Sequence, residues 1–435
     1  MAYFNQELET MPREKLEALQ LQKLQAMMGE LWGKNAFYTK KWKAAGVHPG
    51  DIKSLADLAR LPMTKKSELM EDQARNRPFG TNCTYPLEAY VRVHQTSGTT
   101  GLPLKVLDTN ESWDWMGTCW GYVLSGAGVT AADRLFVAFT FGPFIGFWGA
   151  VEGARKIGAT LIPGGGRDSQ QRLELMRDMG ATVLACTPTY ALRLAEVGRE
   201  INFDPRSIPL RTTVHAGEPG ASIPSTKMRI EEAWNAKCFD HAGASEVGPH
   251  SFECECQPGG THLIESEYIA EVLDPKTGQS VPPGNRGELV ITNLGRWGFP
   301  IVRYRTGDVV QVNLDQCECG RTFLRFEGGI VGRADDMITV RGVNVFPAGV
   351  ENIIRKFTEV DEFRIVVRTV KFMDEMEVEV ELANGADASL AQAIAEKLDT
   401  LLSFRPRVRV VPRDTLPRFE MKSKRFFVER DALTA

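Results

Sequence analysis

The sequence lacks several things at once. No stretch approaches the roughly 20 consecutive apolar residues of a membrane-spanning helix. The opening MAYFNQELETMPREKLEALQ is acidic and helical in pattern, without the basic start and apolar middle of a secretory leader. Neither sign of charge dominates: 52 Lys and Arg stand against 56 Asp and Glu, a net charge of −4. That balance argues against nucleic acid or an anionic membrane as partner, since both usually require a basic footprint. No internal repeat and no low-complexity tract is present. These absences point to a globular, cytoplasmic protein, in which the eight cysteines are expected as free thiols or metal ligands rather than disulfides.

What is present is the material of a large domain and an accessory one. The chain has 435 residues, 43% hydrophobic and 25% charged, more than one small core requires. Leu16, Leu19, Leu21, Leu24 and Met27 recur near helical spacing and predict a helix from about Arg13 to Trp32. From Leu135, short β-rich runs (LFVAF, ATLIP, TVLACTP, TTVHA) alternate with helical stretches (QQRLELMRDMG, IPSTKMRIEEAWNA), the pattern of parallel β–α units. Between Tyr268 and Val312, YIAEVLD, GELVIT and DVVQV are separated by turn-rich sequence and suggest an antiparallel β subdomain. Beyond Arg333 the chain holds enough alternating strand and helix for a separate, smaller α+β domain. The expected fold class is therefore α/β. Residues 1–334 form the large domain and 335–435 the small one.

The first chemical signal is His94-Gln-Thr-Ser-Gly-Thr-Thr-Gly-Leu-Pro103. Its glycines let backbone N–H groups approach a phosphate, and four hydroxyls add donors. It is not a Walker loop, which needs G-x-x-x-x-G-K-[ST]. The candidate phosphate contacts are Thr96, Ser97, Gly98, Thr99, Thr100 and Gly101, flanked by the strand-like runs VRVH and LKVLD.

TSGTTGLPLKV resembles the phosphate loop of the adenylate-forming superfamily, which includes acyl-CoA synthetases, luciferases and the adenylation domains of peptide synthetases. Further segments resemble the family's motifs in the same order. Ala216-Gly217-Glu218-Pro219 is similar to the adenine-contacting turn. Gly243-Ala244-Ser245-Glu246 is similar to the segment with a Mg²⁺-associated glutamate. Tyr304-Arg-Thr-Gly-Asp308 resembles the ribose-binding motif, and Gly332-Arg-Ala-Asp-Asp-Met337 the interdomain hinge. Arg341-Gly-Val-Asn-Val-Phe-Pro347 and the opening ETMPREKLEALQ resemble most the phenylacetate–CoA ligase branch. The resemblance spans nearly the whole chain.

The resemblance implies a fold with a mobile C-terminal domain, and a two-step reaction. A carboxylic acid attacks the α-phosphate of MgATP, and a thiol, coenzyme A by preference, then takes the acyl group from the adenylate. Gly217, Glu218, Pro219, Asp240 and Ser245 would line the nucleotide. Asp308 would accept from the ribose hydroxyls, since both oxygens of a carboxylate can bind a diol. Arg333 would reach a phosphate or ribose oxygen. Glu246 would hold Mg²⁺, which prefers oxygen ligands. Asp335, with Asp336 as the alternative, would be the hinge. Lys422 would bring positive charge to the α-phosphate and substrate carboxylate. The family usually has a glycine where Met421 stands, which keeps Lys424 as the alternative. It usually has an aromatic residue where Ala242 stands, so adenine must rest on apolar contacts and on Asp240.

Phe136–Trp148 reads FVAFTFGPFIGFW, and the resemblance implies that Phe139, Phe141 and Phe144, which match by position the region lining the aryl pocket in phenylacetate–CoA ligases, form the acyl pocket with Ala216 and with His241, for which a structural role is the alternative. Aromatic walls suit a planar apolar acid, and no basic residue in this segment would hold a second carboxylate. The expected substrate is an aryl monocarboxylic acid. Cys254, Cys256, His262, Cys317 and Cys319 form two clusters of metal-ligand type. A structural Zn²⁺ would take His262, Cys317 and Cys319 with one of Cys254 and Cys256. A homodimer, a carrier-protein acceptor, an enzyme that adenylylates a cofactor and stops, and a non-catalytic nucleotide-binding protein are the readings left open.

Overall fold

The structure is a computed structural model that describes residues 2–96, 103–334, 338–340, 343–370, 373–383, 385–402, 404–419 and 423–429. Its centre is one twelve-stranded sheet. Thr160–Pro163, Arg134–Val137, Val183–Cys186, Thr212–His215 and Lys237–Ala244 lie side by side and parallel, in that order. These are the predicted β–α strands, buried on both faces by the helices between them, so they read as short apolar runs rather than alternating ones. The strand at 134–137 stops short of Phe139, where the chain leaves the sheet for an irregular loop.

Lys237–Ala244 is where the sheet changes character. On its far side the order continues antiparallel through Gly248–Phe252, Gly260–Leu263, Arg325–Glu327, Tyr304–Asn313, Arg286–Asn293 and Tyr268–Leu273. The expected antiparallel region is thus present but is not a separate sheet; backbone hydrogen bonds join it to the parallel half. Helix Arg13–Leu31 packs with Ala36–Ala44 on this half, burying Leu24, Met27, Met28, Leu31, Tyr38 and Trp42 against Ile269, Leu294 and Val302. Leu19 and Leu21, expected on the same face, are only half-buried; the buried face includes Gln20, whose amide donates to the carbonyls of Glu265 (3.0 Å) and Tyr268 (2.9 Å). Two carbonyls otherwise stranded under a helix make that polar position worth keeping.

Between the hairpin Tyr90–Gln95/Lys105–Thr109 and the loop at Arg296 lies a fully buried ion pair. Arg296 binds both oxygens of Asp108, through Nε at 2.7 Å and Nη2 at 2.6 Å, and its Nη1 donates to the Ser245 carbonyl at 2.7 Å. The pair therefore fixes the backbone next to Glu246. Removing one partner strands a charge in the core, which typically costs about 3–5 kcal/mol. Asp108→Ala is expected to lower the melting temperature by several degrees, whereas a substitution at the exposed Asp178 leaves it unchanged; thermal denaturation followed by circular dichroism checks this.

The C-terminal part has its own core of Val340, Val345, Ile354, Phe363, Val378, Ile394 and Leu398 among others. Its sheet runs Arg407–Val411, Met373–Leu382, Val360–Val370, Phe426–Glu429, covered by helices Pro347–Ile354 and Leu390–Leu402. The last strand had no counterpart in the sequence reading. Phe426–Glu429 pairs in parallel with Val360–Val370, and Ser423 and Arg425 just before it are held by hydrogen bonds to Glu218 and Glu362.

Candidate active site

The segments singled out by sequence follow the carboxyl ends of the parallel strands. Phe139–Phe144 follows Arg134–Val137, Ala216–Pro219 follows Thr212–His215, and Ser245–Glu246 follows Lys237–Ala244, the strand at which the sheet turns antiparallel. In open α/β sheets, ligands bind beyond the carboxyl ends of the strands at such a switch point, because the loops there diverge and leave a crevice.

Glu246 sits at this junction, 4% exposed. Tyr304 donates its hydroxyl to Glu246 Oε1 at 2.7 Å, and Lys66 Nζ lies 3.2 Å from the same oxygen. Burial works against the charge, but the Lys66 ammonium and the Tyr304 hydroxyl outweigh it and hold the carboxyl below its ordinary value. Among the described residues both side-chain partners approach the same oxygen, Oε1. Tyr304 also starts the strand that carries Asp308. Arg333, directly opposite Asp308 on the adjacent antiparallel strand Gly332–Arg333, lies 3.2 Å from Asp308 Oδ1. Through Tyr304, Glu246 is thus joined to the strand that carries Asp308 and its partner Arg333. The bulge in this strand between Arg305 and Val309 has Gly307 at φ +75°, a conformation that L side chains disfavour, and Thr306 Oγ1 accepts from the Asp308 amide at 2.9 Å. Lys66 and Tyr304 were assigned no role from sequence. Lys66 stands at the start of helix Lys66–Arg75, about 180 residues from its partner, and nothing local announces that contact.

Asp240 is buried, its amide donating to Glu253 Oε2 at 2.8 Å. Burial first, and then the Glu253 carboxylate, push the Asp240 carboxyl up to about 7, so near neutrality it can donate as well as accept. Ser245 contributes its carbonyl to Arg296, as described above. Glu218 has both oxygens engaged: Oε1 accepts from the Thr189 amide at 3.0 Å, and Oε2 from the Ser423 amide at 2.6 Å and the Ser423 hydroxyl at 2.7 Å. Thr96, the first of the candidate phosphate contacts, puts its amide on the Leu104 carbonyl (2.9 Å) and its hydroxyl accepts from the Leu104 amide (3.1 Å), which extends the closed hairpin. Ser97, Gly98, Thr99, Thr100 and Gly101, with Asp335 and Lys422, lie outside the described residues.

The aromatic wall is real as a cluster. Phe139 meets Phe141 (5.6 Å between centroids), Phe144 (5.2 Å) and Phe147 (5.6 Å), all edge to face. Its ring lies against Gly146, where an added Cβ would sit 2.1 Å from Cζ, so only glycine fits there. The Gln95 amide donates to the Pro143 carbonyl at 2.7 Å, tying this loop to the phosphate hairpin. Ala216 packs against the same core, half-buried. His241 contacts the wall indirectly: its ring is edge-on to Trp120 at 4.6 Å, Trp120 meets Phe147 at 5.8 Å, and its Nδ1 donates to the Ser251 carbonyl at 2.8 Å. Burial lowers its pKa to about 4, so the imidazole is neutral.

Cys254, His262, Cys317 and Cys319 bring their ligand atoms within 4.8 Å of one another, all buried. Cys254 Sγ is 3.6 Å from Cys317 Sγ, and Cys319 Sγ is 3.5 Å from His262 Nε2. Metal–sulfur bonds of about 2.3 Å and metal–nitrogen bonds of about 2.0 Å give tetrahedral edges of about 3.5–3.8 Å, so the donors are spaced for such an ion. The Phe323 carbonyl accepts from His262 Nδ1 at 3.1 Å, which turns Nε2 towards the thiols. Cys256, the rival of Cys254, is half-buried and outside the group. The knuckle also clamps the first residues of the chain. Tyr3 donates its hydroxyl to the Cys319 carbonyl at 2.6 Å, Arg321 donates to the Ala2 carbonyl at 2.7 Å and pairs with buried Glu9, and the Thr322 amide donates to the Glu9 carbonyl at 2.9 Å.

No helix among the described residues is long and apolar enough to cross a membrane. The sequence profile of AMP-binding enzymes matches residues 45–295, and that of the AMP-binding enzyme C-terminal domain matches residues 342–430. The phenylacetate–coenzyme A ligase of Thermus thermophilus is 36% identical over 90% of this chain and 87% of its own. A 2-hydroxyisobutyryl-CoA ligase, solved in the postadenylation state in complex with R3-HIB-AMP, superposes with a TM-score of 0.93 at 32% identity, covering 99% of this chain and 92% of that one. The same enzyme in the thioesterification state with 2-HIB-AMP and CoA gives 0.75 at 33% identity, over 99% and 93%. The domains here are thus arranged more like those of the postadenylation state.

Proposed function

This chain belongs to the AMP-binding enzyme family, and from that premise we propose that it is an AMP-forming acid–CoA ligase acting on an aryl monocarboxylic acid of the phenylacetate, benzoate or aminobenzoate kind. The observation that carries the reading is that Glu246, at the sheet's switch point, bonds Tyr304 on the strand that carries Asp308 and its partner Arg333, while an aromatic wall is tied to the hairpin Tyr90–Gln95/Lys105–Thr109. The substrate carboxylate attacks the α-phosphate of ATP and pyrophosphate leaves. The CoA thiol then attacks the acyl-adenylate and AMP leaves. Carboxylate and thiolate supply the nucleophiles, so the protein contributes position and charge.

In this reading Asp308 and Arg333 hold the ribose, Thr96–Gly101 the phosphates, and Asp240 the adenine edge. Phe139, Phe141 and Phe144 receive the aryl ring. Mg²⁺, when bound, neutralises the phosphate charge, and Glu246 Oε2 is the oxygen that would hold it. Cys254, His262, Cys317 and Cys319 would hold Zn²⁺ as a closed structural site, since four protein ligands leave no open position. The domain boundary that goes with this function is 1–334 and 335–435, with Asp335 as hinge. The likeness to a ligase of a small branched hydroxy acid supports a second reading, in which the acid is aliphatic.

Pyrophosphate release from MgATP, measured with aryl, hydroxy-branched and short aliphatic acids with and without CoA, tests both. CoA-dependent turnover on an aryl acid is expected. Lys422→Ala is expected to lower the adenylation rate at least about 100-fold. Turnover confined to hydroxy-branched acids favours the second reading, and silence on every acid from protein that binds ATP refutes both.

A further inference from the structure

We propose that Glu218 is a positioning residue: a carboxylate latch that seats the C-terminal lysine segment for adenylation and must release it before thioester formation. The inference rests on the ligase reading above. It comes from where the two Glu218 oxygens go. One accepts from the Thr189 amide, in the first turn of helix Pro188–Glu200, whose exposed N–H groups and dipole favour a negative charge. The other accepts from both the amide and the hydroxyl of Ser423, the residue after Lys422 in the chain. Glu218 lies in the large domain and Ser423 in the small one, so the carboxylate bridges the domains at the start of the reactive segment.

A second tie runs in parallel. Arg425 donates to Thr189 Oγ1 at 3.3 Å and is itself held by two hydrogen bonds to Glu362, at 2.6 and 2.9 Å. Thr189 therefore meets Ser423–Arg425 twice, once through Glu218 and once through its own hydroxyl. The contact belongs to a domain arrangement like that of the postadenylation state. When the small domain turns, Ser423 must leave, while Thr189 remains on the other oxygen because both belong to the large domain. The latch thus breaks without leaving Glu218 unpaired. Its bonds are charge-assisted, and losing them should weigh on adenylation alone.

The test separates the half-reactions in the full-length protein. E218Q and S423A are compared with wild type in acid-dependent exchange of pyrophosphate into ATP, and in CoA-dependent consumption of the pre-formed acyl-adenylate. E218Q is expected to lose about tenfold or more in exchange, and S423A, which removes the hydroxyl contact alone, to lose less in exchange while staying within about twofold of wild type in adenylate consumption. The double variant E218Q/S423A should be no worse than E218Q, because the two act through one contact. Equal losses in both half-reactions, or unchanged exchange, overturn the latch. Trypsin cleavage between Lys422 and Arg425 reads it without turnover: E218Q should be cut several-fold faster at unchanged melting temperature, and an unchanged rate overturns it. A wild-type enzyme silent in both half-reactions refutes the ligase reading, and the cleavage rates still decide the latch.

Discussion

Glu246→Gln is expected to lower kcat/KM for MgATP about 100-fold or more, with little change in stability. The substitution keeps size and shape, and the Gln carbonyl still accepts from Tyr304, so the local packing survives. What disappears is a full negative charge that Lys66 and Tyr304 keep ionised despite burial. A neutral amide is a poor ligand for a hard cation, and removal of one group that stabilises transition-state charge commonly costs 10²–10³ in rate. Tyr304→Phe should lose much less, about three- to tenfold, because the carboxylate and Lys66 remain. Because Lys66 and Tyr304 hold the Glu246 carboxyl below the ordinary carboxylate range against the effect of burial, an acid limb of the rate profile within or above that range must come from another group. Initial rates of pyrophosphate release over a magnesium titration check the prediction. If Glu246→Gln stays within threefold of wild type at saturating magnesium, Glu246 is not the cation ligand.

The second large effect is on stability. Cys319→Ser is expected to abolish stoichiometric zinc and to lower the melting temperature by well over five degrees, while Cys256→Ser keeps both. Structural zinc sites bind with apparent free energies of about 10–16 kcal/mol in small zinc-finger peptides at neutral pH, and only part of that is needed to hold two loops of a large domain. The cluster stands where losses spread. Cys254 adjoins Gly248–Phe252, His262 lies on Gly260–Leu263, and Cys317 and Cys319 precede Arg325–Glu327, so a loosened knuckle frees three adjacent strands of the central sheet. Metal content by atomic absorption, with melting curves before and after chelation, decides it. Equal zinc in Cys319→Ser and wild type, or no zinc in a wild-type protein purified without chelator, would remove the site.

The family was legible because its motifs are short, local words. The Ser/Thr/Gly run from Thr96, the Tyr304–Asp308 segment and the aromatic run each occupy a few consecutive residues, and their order along the chain carries the family. The β–α alternation was legible for the same reason, since a strand buried on both faces is a short apolar run. Long-range pairing was not. Lys66 with Glu246, Asp108 with Arg296 and Glu218 with Ser423 each join residues far apart in sequence, and one sequence holds no record of which charge meets which. Cys254 and Cys256 are alike in type and two apart, so only the direction of their side chains tells them apart, and the fold decides that direction. Phe426–Glu429 was missed because a parallel strand of four residues at the end of a basic segment has neither length nor alternation to mark it.

The clamp on the first residues bears on the order in which the protein is made. Tyr3 and Glu9 find their partners at Cys319 and Arg321, more than three hundred residues later. At synthesis rates of about 5–20 residues per second, they wait on the order of 15–60 s before those partners exist. Over that time Phe4, destined to lie against Tyr122 at 5.0 Å, has no finished surface to close on. Translation of the large domain therefore leaves its leading edge open until nearly all of that domain has emerged from the ribosome. A nascent chain arrested before Arg321 should remain a client of chaperones, while one arrested well beyond Glu327 should not.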